Sequence, residues 1–293
     1  MSRPDLVIFG EVLFDRFPDG SRILGGAPFN VAWHCQAFGL SPLLISRVGN
    51  DPLGREVRSA MIAWGMDTSG LQLDSTHATG VVDVDIHDGE PSYNIVEDSA
   101  WDFIDNQATP AIDNQGILYH GSLATRNPVS DSSLADLRKQ YFNSIFIDIN
   151  LRPPWWNLSV IEKVVLGCRW IKLNAEELAS IVPQERGIEA RARVLLSQAH
   201  AEMVVVTRGD AGAMAFTQEE THQVSPDSSI SIVDTVGAGD AFSSVLLLGL
   251  KRLWPLRDTL NRAQQFASAI VEQRGATTQD KEIYEPFIRN WCL

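Results

Sequence analysis

The stretch of this sequence best suited to chemistry is Asp234-Thr235-Val236-Gly237-Ala238-Gly239-Asp240-Ala241-Phe242. Gly237 and Gly239 permit a tight turn and keep side chains out of a ligand's path. Residues 242–253 are apolar on almost every side and predict a buried helix. A glycine turn that opens a helix aims free N–H groups and the positive end of the helix dipole at one spot, and anions bind there. Asp240 falls in the first helical turn, where a carboxylate is expected to stay ionised. An anion cradle beside an ionised carboxylate suits phosphoryl transfer to a hydroxyl. The carboxylate takes the proton, while the N–H groups absorb charge developing on the phosphoryl group. The same spacing also serves, in many α/β proteins, only to close a turn. Two other phosphate loops are excluded. Phe242 occupies the third glycine position of the dinucleotide fingerprint, and no Gly-Lys pair exists to make a Walker A loop.

Further polar groups fall where strands should end. Residues 6–9 are an apolar run closing at Gly10-Glu11, which suggests a buried parallel strand with Asp15 just beyond it. Gly25-Gly26-Ala27-Pro28-Phe29-Asn30 precedes a helix over residues 31–38 ended by Gly39. Strands are expected at 117–120, 145–149, 170–173 and 203–207, with helices over 131–141 and 264–272. A further short strand, built on Ile230, Ile232 and Val233, would lead into the glycine turn. Asp148, Asn150 and Arg152 sit at the carboxyl end of one strand. Asn174 and Glu177 follow the next and also read as a helix cap with its partner three residues on. Thr207 precedes Arg208-Gly209-Asp210-Ala211-Gly212. Strand–helix alternation of this kind predicts an α/β domain with a mainly parallel sheet, whose crevices lie outside the strands' carboxyl ends. Residues 80–96 differ. Val82, Val84 and Ile86 alternate with Asp83, Asp85 and His87 up to Asp88-Gly89, which predicts a one-sided hairpin.

The totals narrow the classes. A length of 293 residues allows one large domain, and 44% hydrophobic with 21% charged residues matches a soluble globular enzyme. A net charge of −13 argues against nucleic-acid or anionic-membrane partners. Cys35, Cys168 and Cys292 show no metal or redox spacing and suit reduced, packed thiols. The opening MSRPDLVIFG holds too short an apolar run for a signal peptide, and no run of about 18 apolar residues exists for a membrane span. A cytoplasmic protein is therefore expected.

DTVGAGDAF resembles the C-terminal motif of the ribokinase-like (PfkB) carbohydrate kinases, and other segments resemble that family in its order. GGAPFNVAWH is similar to its N-terminal Gly-Gly…Asn motif, and Arg47-Val48-Gly49-Asn50-Asp51-Pro52-Leu53-Gly54 to its RVGxDxxG. DINLRPPWW (residues 148–156) resembles the fructokinase form of its segment, Asn174 to Glu177 its N-x-x-E, and Thr207 to Gly212 its T-x-G-x-x-G. The resemblance implies a single three-layer α/β/α kinase domain over 1–293, with a β-lid formed mainly by about 12–24 and 79–104. It implies Asp240 as catalytic base and Gly237, Ala238 and Gly239 as the anion hole. It places Asp15, Gly25, Gly26, Asn30, Phe103, Arg152 and Asp240 on the sugar, with Tyr93 and Trp101 as further aromatic candidates for the pocket. Asn174, Thr207, Gly209, Gly237, Gly239 and Ser268 would contact ATP. Glu177 would meet Mg2+ through water, and Asp234 with the Val236 carbonyl would hold a monovalent cation such as K+. It further implies a homodimer paired through the lid. Fructose is the leading substrate by this resemblance, with ribose, 2-keto-3-deoxygluconate or a nucleoside as alternatives, and a catalytically silent sugar- or nucleotide-binding regulator as the rival of another class.

Overall fold

The computed structural model describes residues 5–87, 90–110, 112, 116–141, 144–226 and 231–293. From the amino end the chain forms β1 (Leu6–Phe9), β2 (Leu13–Arg16), β3 (Arg22–Gly25), α1 (Ala27–Ala37), β4 (Leu43–Gly49), α2 (Pro52–Ala63), β5 (Leu71–Asp74), β6 (Gly80–His87) and β7 (Glu90–Ile95). Then come β8 (Ile117–Gly121), α3 (Pro128–Gln140), β9 (Ile145–Asp148), α4 (Leu158–Val165), β10 (Trp170–Asn174), α5 (Ala175–Ile181), α6 (Ile188–Gln198) and β11 (Met203–Thr207). β12 (Ala213–Phe216), β13 (Thr221–Val224), α7 (Ala238–Arg252), α8 (Leu256–Val271) and α9 (Glu285–Trp291) complete it.

Nine strands make the large sheet, in the order β13-β12-β11-β10-β9-β8-β1-β4-β5. All its pairs are parallel except at one edge, where β12 and β13 double back. β1 pairs with β4 on one side and β8 on the other. Strand order therefore reverses beside β1, and an open parallel sheet forms its ligand crevice outside the carboxyl ends at such a point. Alternate residues of the buried strands serve two cores. Leu6 and Ile8 join side chains from α1, α2, α7, α8 and α9, whereas Val7 and Phe9 join those from α3, α4, α5 and α6. The result is a sheet between two helical layers.

α7 lies inside its layer, with Ala241 to Gly249 buried without a break. Its contact with α8 depends on Gly249, where an added Cβ would lie 2.3 Å from Thr259 Cγ2. A second sheet, ordered β3-β2-β6-β7, covers residues 13–25 and 80–95. Val82 and Val84 face inward and are buried, and Asp85 is exposed, as the alternation predicts. The turn expected at Asp88-Gly89 lies outside the described residues.

One expected strand does not form. Ile232 and Val233 are 64% and 60% exposed, and the Val233 N–H donates to the Val271 carbonyl rather than to a neighbouring strand. β13 is already the edge of the sheet, so the connection to α7 has no ladder to join, and Ile230 lies outside the described residues. Cys35 and Cys168 are buried thiols, but Cys292 is exposed. Among the described residues no helix is long and apolar enough to cross a membrane.

The α7–α8 contact makes a direct prediction. Gly249→Ala should destabilise the fold by about 1–3 kcal/mol through overpacking, measured by urea unfolding. Adding Thr259→Ala should recover part of that loss, and equal stability of the single variant and the parent would contradict so close an approach.

Candidate active site

A cleft of about 1530 Å³ opens at the carboxyl ends of the central strands. Two helices present their amino ends to it. α1 and α7 are capped by Gly26 and Gly237, neither with a side-chain cap bond, whereas Asp51, Asn127 and Asn157 cap α2, α3 and α4 through their side chains. Both glycines have positive φ (106° and 81°). Neither could carry a side chain, because a Cβ would lie 2.7 Å from the Glu11 carbonyl at Gly26 and 2.3 Å from Ala276 Cβ at Gly237. The N–H groups of the first helical turn have no intrahelical acceptor. The Ala238 N–H bonds to the Thr235 carbonyl at 3.3 Å, which reduces the expected anion cradle to the remaining amides of the turn, chiefly those of Gly239 and Asp240.

Asp240 lines the cleft in the first turn of α7, and its Oδ2 accepts a 2.7 Å hydrogen bond from Asn30 Nδ2 in the first turn of α1. Burial raises its pKa to about 7. The Asn30 hydrogen bond opposes that rise, Asp148 adds to it, and Lys172 and Arg152 oppose it. The sequence predicts a permanently ionised carboxylate here. Desolvation outweighs the helix dipole instead, and leaves a group that changes charge near neutrality, where a general base is most effective. Asp15 on β2 is raised in the same way, to about 6, with Arg152 opposing.

Beneath the turn lies a polar network that sequence reasoning missed. Lys172 on β10 is buried, and its Nζ donates to Asp148 Oδ1 and Oδ2 at 2.9 and 3.0 Å. Asp148 Oδ2 also accepts from Ser243 Oγ on α7 at 2.6 Å and from Tyr119 on β8 at 3.3 Å. Burial acts against the Lys172 charge, but Asp148, Asp240 and Glu177 together raise its pKa and keep it cationic. Its Nζ lies 3.0 Å from where a Cβ on Gly239 would stand. The absent side chain thus admits a positive charge to the underside of the turn. Asp148, expected at the crevice rim, is the anchor that holds this lysine. The available signal was a lone lysine in the apolar run Trp170-Ile171-Lys172-Leu173 of a buried parallel strand.

Of the residues singled out from the sequence, Asp15, Gly25, Gly26, Asn30, Tyr93, Arg152, Asn174, Glu177, Thr207, Gly209, Asp234, Val236, Gly237, Gly239 and Asp240 all line the cleft. Ala238, whose N–H is turned to the Thr235 carbonyl, does not, and neither do Phe103, Trp101 and Ser268. Phe103 stacks on His77 with ring centroids 3.6 Å apart, and its carbonyl accepts from Arg47. Trp101 is fully buried under the Arg126 guanidinium. Ser268 Oγ, on α8, accepts from Gln264 one turn earlier. Core packing and a helix-surface bond thus use all three. Glu11, Lys172, Ile188 and Ala276 line the cleft without having been singled out.

Among the described residues no cluster of three or more histidines, cysteines or acids could hold a metal by itself. Glu177 is the acid nearest to that role, and both its oxygens accept backbone N–H groups, from Leu151 at 3.0 Å and from Asn174 at 2.8 Å. Such a carboxylate fits a cation that arrives with its own waters. Asp234 is similarly engaged, by the N–H groups of Val236 and Gly275, each at 3.0 Å.

A family model described as pfkB family carbohydrate kinase matches residues 5–283. A fructokinase of Klebsiella pneumoniae is 31% identical over 292 residues, covering 92% of this chain and 94% of that protein. An aminoimidazole riboside kinase of Salmonella typhimurium is 27% identical over 291 residues, covering 92% and 90%. The crystal structure of a Vibrio cholerae fructokinase double mutant, in a form binding fructose, ADP and a potassium ion, superposes with a TM-score of 0.82 at 26% identity, covering 97% of this chain and 99% of the other.

A buried carboxyl with a raised pKa binds its proton more tightly in the folded than in the unfolded state. Its contribution to stability is complete below the unfolded pKa and is lost as pH rises through about 7. Asp240→Asn should consequently make the unliganded protein more resistant to urea than the parent at pH ~8, with the difference gone near pH ~4. Equal midpoints at the higher pH would mean that water solvates this carboxylate freely.

Proposed function

The chain belongs to the pfkB family of carbohydrate kinases, and on that premise we propose that it transfers the γ-phosphoryl group of ATP to the primary hydroxyl of fructose, giving fructose 6-phosphate. The observation that carries this reading is the position of Asp240, held by Asn30 at the floor of a cleft whose two ends differ in chemistry. Toward β1 and β2 the lining is Asp15, Gly25, Gly26 and Asn30, side chains and bare backbone suited to hydroxyls. Toward β10 and β11 it is Asn174, Thr207, Gly209 and Ala211, suited to a nucleotide.

In this reading Asp15 and Asn30 orient the sugar, and Asp240 takes the proton of the 6-hydroxyl as that oxygen attacks phosphorus in line with the departing ADP. The Gly239 and Asp240 N–H groups and the Lys172 ammonium stabilise negative charge on the phosphoryl oxygens. Arg152 opposes protonation of both Asp15 and Asp240 and so favours the ionised form of the base. Mg2+ entering with ATP would neutralise the phosphates near Asn174 and Glu177, and a monovalent cation at Asp234 and Val236 would steady the turn. The small sheet serves as a lid that keeps water from the phosphoryl group, and pairing of two lids would give a homodimer, which sedimentation checks. Fructose is favoured over a riboside by the segments Gly25–Asn30 and Asp148–Trp156 and by the fructokinase relatives.

The deciding experiment is ADP release with Mg-ATP against fructose, ribose, 2-keto-3-deoxygluconate, fructose 6-phosphate and adenosine. Fructose should be preferred, and preference for another acceptor would overturn the substrate while leaving the kinase chemistry. Asp240→Asn should lower kcat by about 10² or more with ATP binding retained, and Asp15→Ala should raise the sugar KM by about tenfold or more. The kcat/KM profile of the parent should rise with pH along a limb centred near 7, because only the ionised carboxylate accepts a proton.

A further inference from the structure

Two polar atoms lining the β1 end of the cleft are buried and without a partner among the described residues, Asn30 Oδ1 and Glu11 Oε2. Asn30 is already engaged with Asp240 through its amide nitrogen. Glu11 has no such task, although it is only 3% exposed. Resting on the kinase reading above, we propose that Glu11 is an acceptor-binding residue. Its carboxyl takes a hydroxyl of the sugar and makes this end of the cleft selective for a neutral polyol.

Glu11 follows β1 directly, at the point where the strand order of the sheet reverses. Its backbone is fixed on both sides. Pro28 fills the place where Gly10 would carry a Cβ, and the bare Gly26 packs against the Glu11 carbonyl. The main chain that carries this side chain is therefore fixed at the cleft. Carboxylates that do hold this fold together behave differently. Glu177 engages both of its oxygens with N–H groups, Asp148 has three side-chain partners, and Asp74 binds Arg47, His77 and the N–H of Thr76. A buried carboxyl oxygen with nothing to bind is costly, and a ligand donor removes that cost.

The electrostatic surroundings define the donor. Burial raises the Glu11 pKa to about 7. Its own backbone hydrogen bond opposes the rise, Asp240 adds to it, and Arg152 and Arg126 oppose it. Near neutrality Glu11 thus exists in both protonation states. A hydroxyl suits each of them, donating to the carboxylate and accepting from the acid. Asp15 and Asp240 line the same region, so a carboxylate or phosphate on the acceptor would meet acidic groups there. Arg152 lines the cleft as well, but three carboxyls face that one guanidinium, and the balance favours an uncharged sugar.

The test uses Glu11→Gln, which preserves shape, and Glu11→Ala, with initial rates for fructose and for its 1-deoxy, 3-deoxy and 4-deoxy analogues. Glu11→Ala should raise the fructose KM by about tenfold or more and Glu11→Gln, whose amide can still pair with a hydroxyl, by less, with the ATP KM held within about twofold in both. In the parent each deoxy analogue loses whatever its missing hydroxyl contributes. In Glu11→Ala one analogue should lose nothing relative to fructose, because its hydroxyl has no partner left. A merely structural role cannot select a single hydroxyl in this way. Parent turnover of fructose with an unmoved fructose KM in Glu11→Ala overturns the assignment of Glu11 alone, as does an equal penalty on every analogue. Preference of the parent for 2-keto-3-deoxygluconate over every neutral sugar overturns that assignment and the fructose reading together.

Discussion

The hydrogen bond from Asn30 to Asp240 joins residues 210 positions apart and fixes the amino ends of two helices against each other. Much of the surrounding architecture serves that meeting. α1 and α7 are buried on nearly every side, so neither can rotate to relieve a misfit. His34, one turn after Asn30, bonds through its ring nitrogens to the Ala276 carbonyl at 3.0 Å and the Tyr284 hydroxyl at 2.9 Å. Burial holds its pKa down at about 4, with the Ala276 hydrogen bond opposing, so the ring is neutral. A neutral imidazole has one donor and one acceptor, which the carbonyl and the hydroxyl satisfy in that order. Ala276 in turn fills the space that Gly237 leaves vacant. One side of α1 therefore holds both the carboxyl and the turn that precedes it.

Such an arrangement has an energetic cost, and its location is specific. Glu11, Asp15 and Asp240 are all carboxyls whose burial drives their pKa values upward. Arg152 opposes the rise for each of the three without an ion pair to any of them among the described residues, its Nη1 bonding to the Leu151 carbonyl at 3.1 Å. The Asp240 charge adds to the rise at Glu11, and the Asp148 charge to the rise at Asp240. The cleft is consequently a region of stored electrostatic strain. Lys172 and Asp148 beneath it form a closed pair that stiffens the floor. Strain of this kind concentrates at functional sites, and the remainder of the fold compensates.

Much of this was legible in the sequence, for physical reasons that differ by residue. Gly237 of the turn and Gly26 could be read because only glycine permits their positive φ and close approaches. The parallel sheet could be read because buried strands make continuous apolar runs. What escaped depends on contacts between distant positions. Nothing near Asp240 in the chain states how completely the fold will bury it, and the helix dipole alone points to an ionised group. Ile232 and Val233 carry strand propensity but have no neighbouring strand to pair with. Phe103 and Trp101 show the limit of composition, since an aromatic beside a lid hairpin is as readily used for packing. The β12–β13 edge was missed because two strands of four residues each carry little periodic signal.

The two ends of the cleft are built from different materials. Toward β11 the polar side chains are committed to the fold, with a capping box at Asn174 and Glu177 that is satisfied within itself. Exchanging either would disturb the start of α5. Toward β1 the bare backbone of Gly25 and Gly26 is joined by the side chains of Asp15, Asn30 and Glu11, each on a different element or connection. Side chains can be exchanged one at a time without disturbing the sheet. A fold divided in this way keeps its phosphoryl chemistry while its acceptor changes, and family membership then fixes the reaction far more firmly than the substrate. The burden of specificity falls on those few polar atoms at the head of β1, where an unpartnered oxygen can be satisfied only by what enters the cleft.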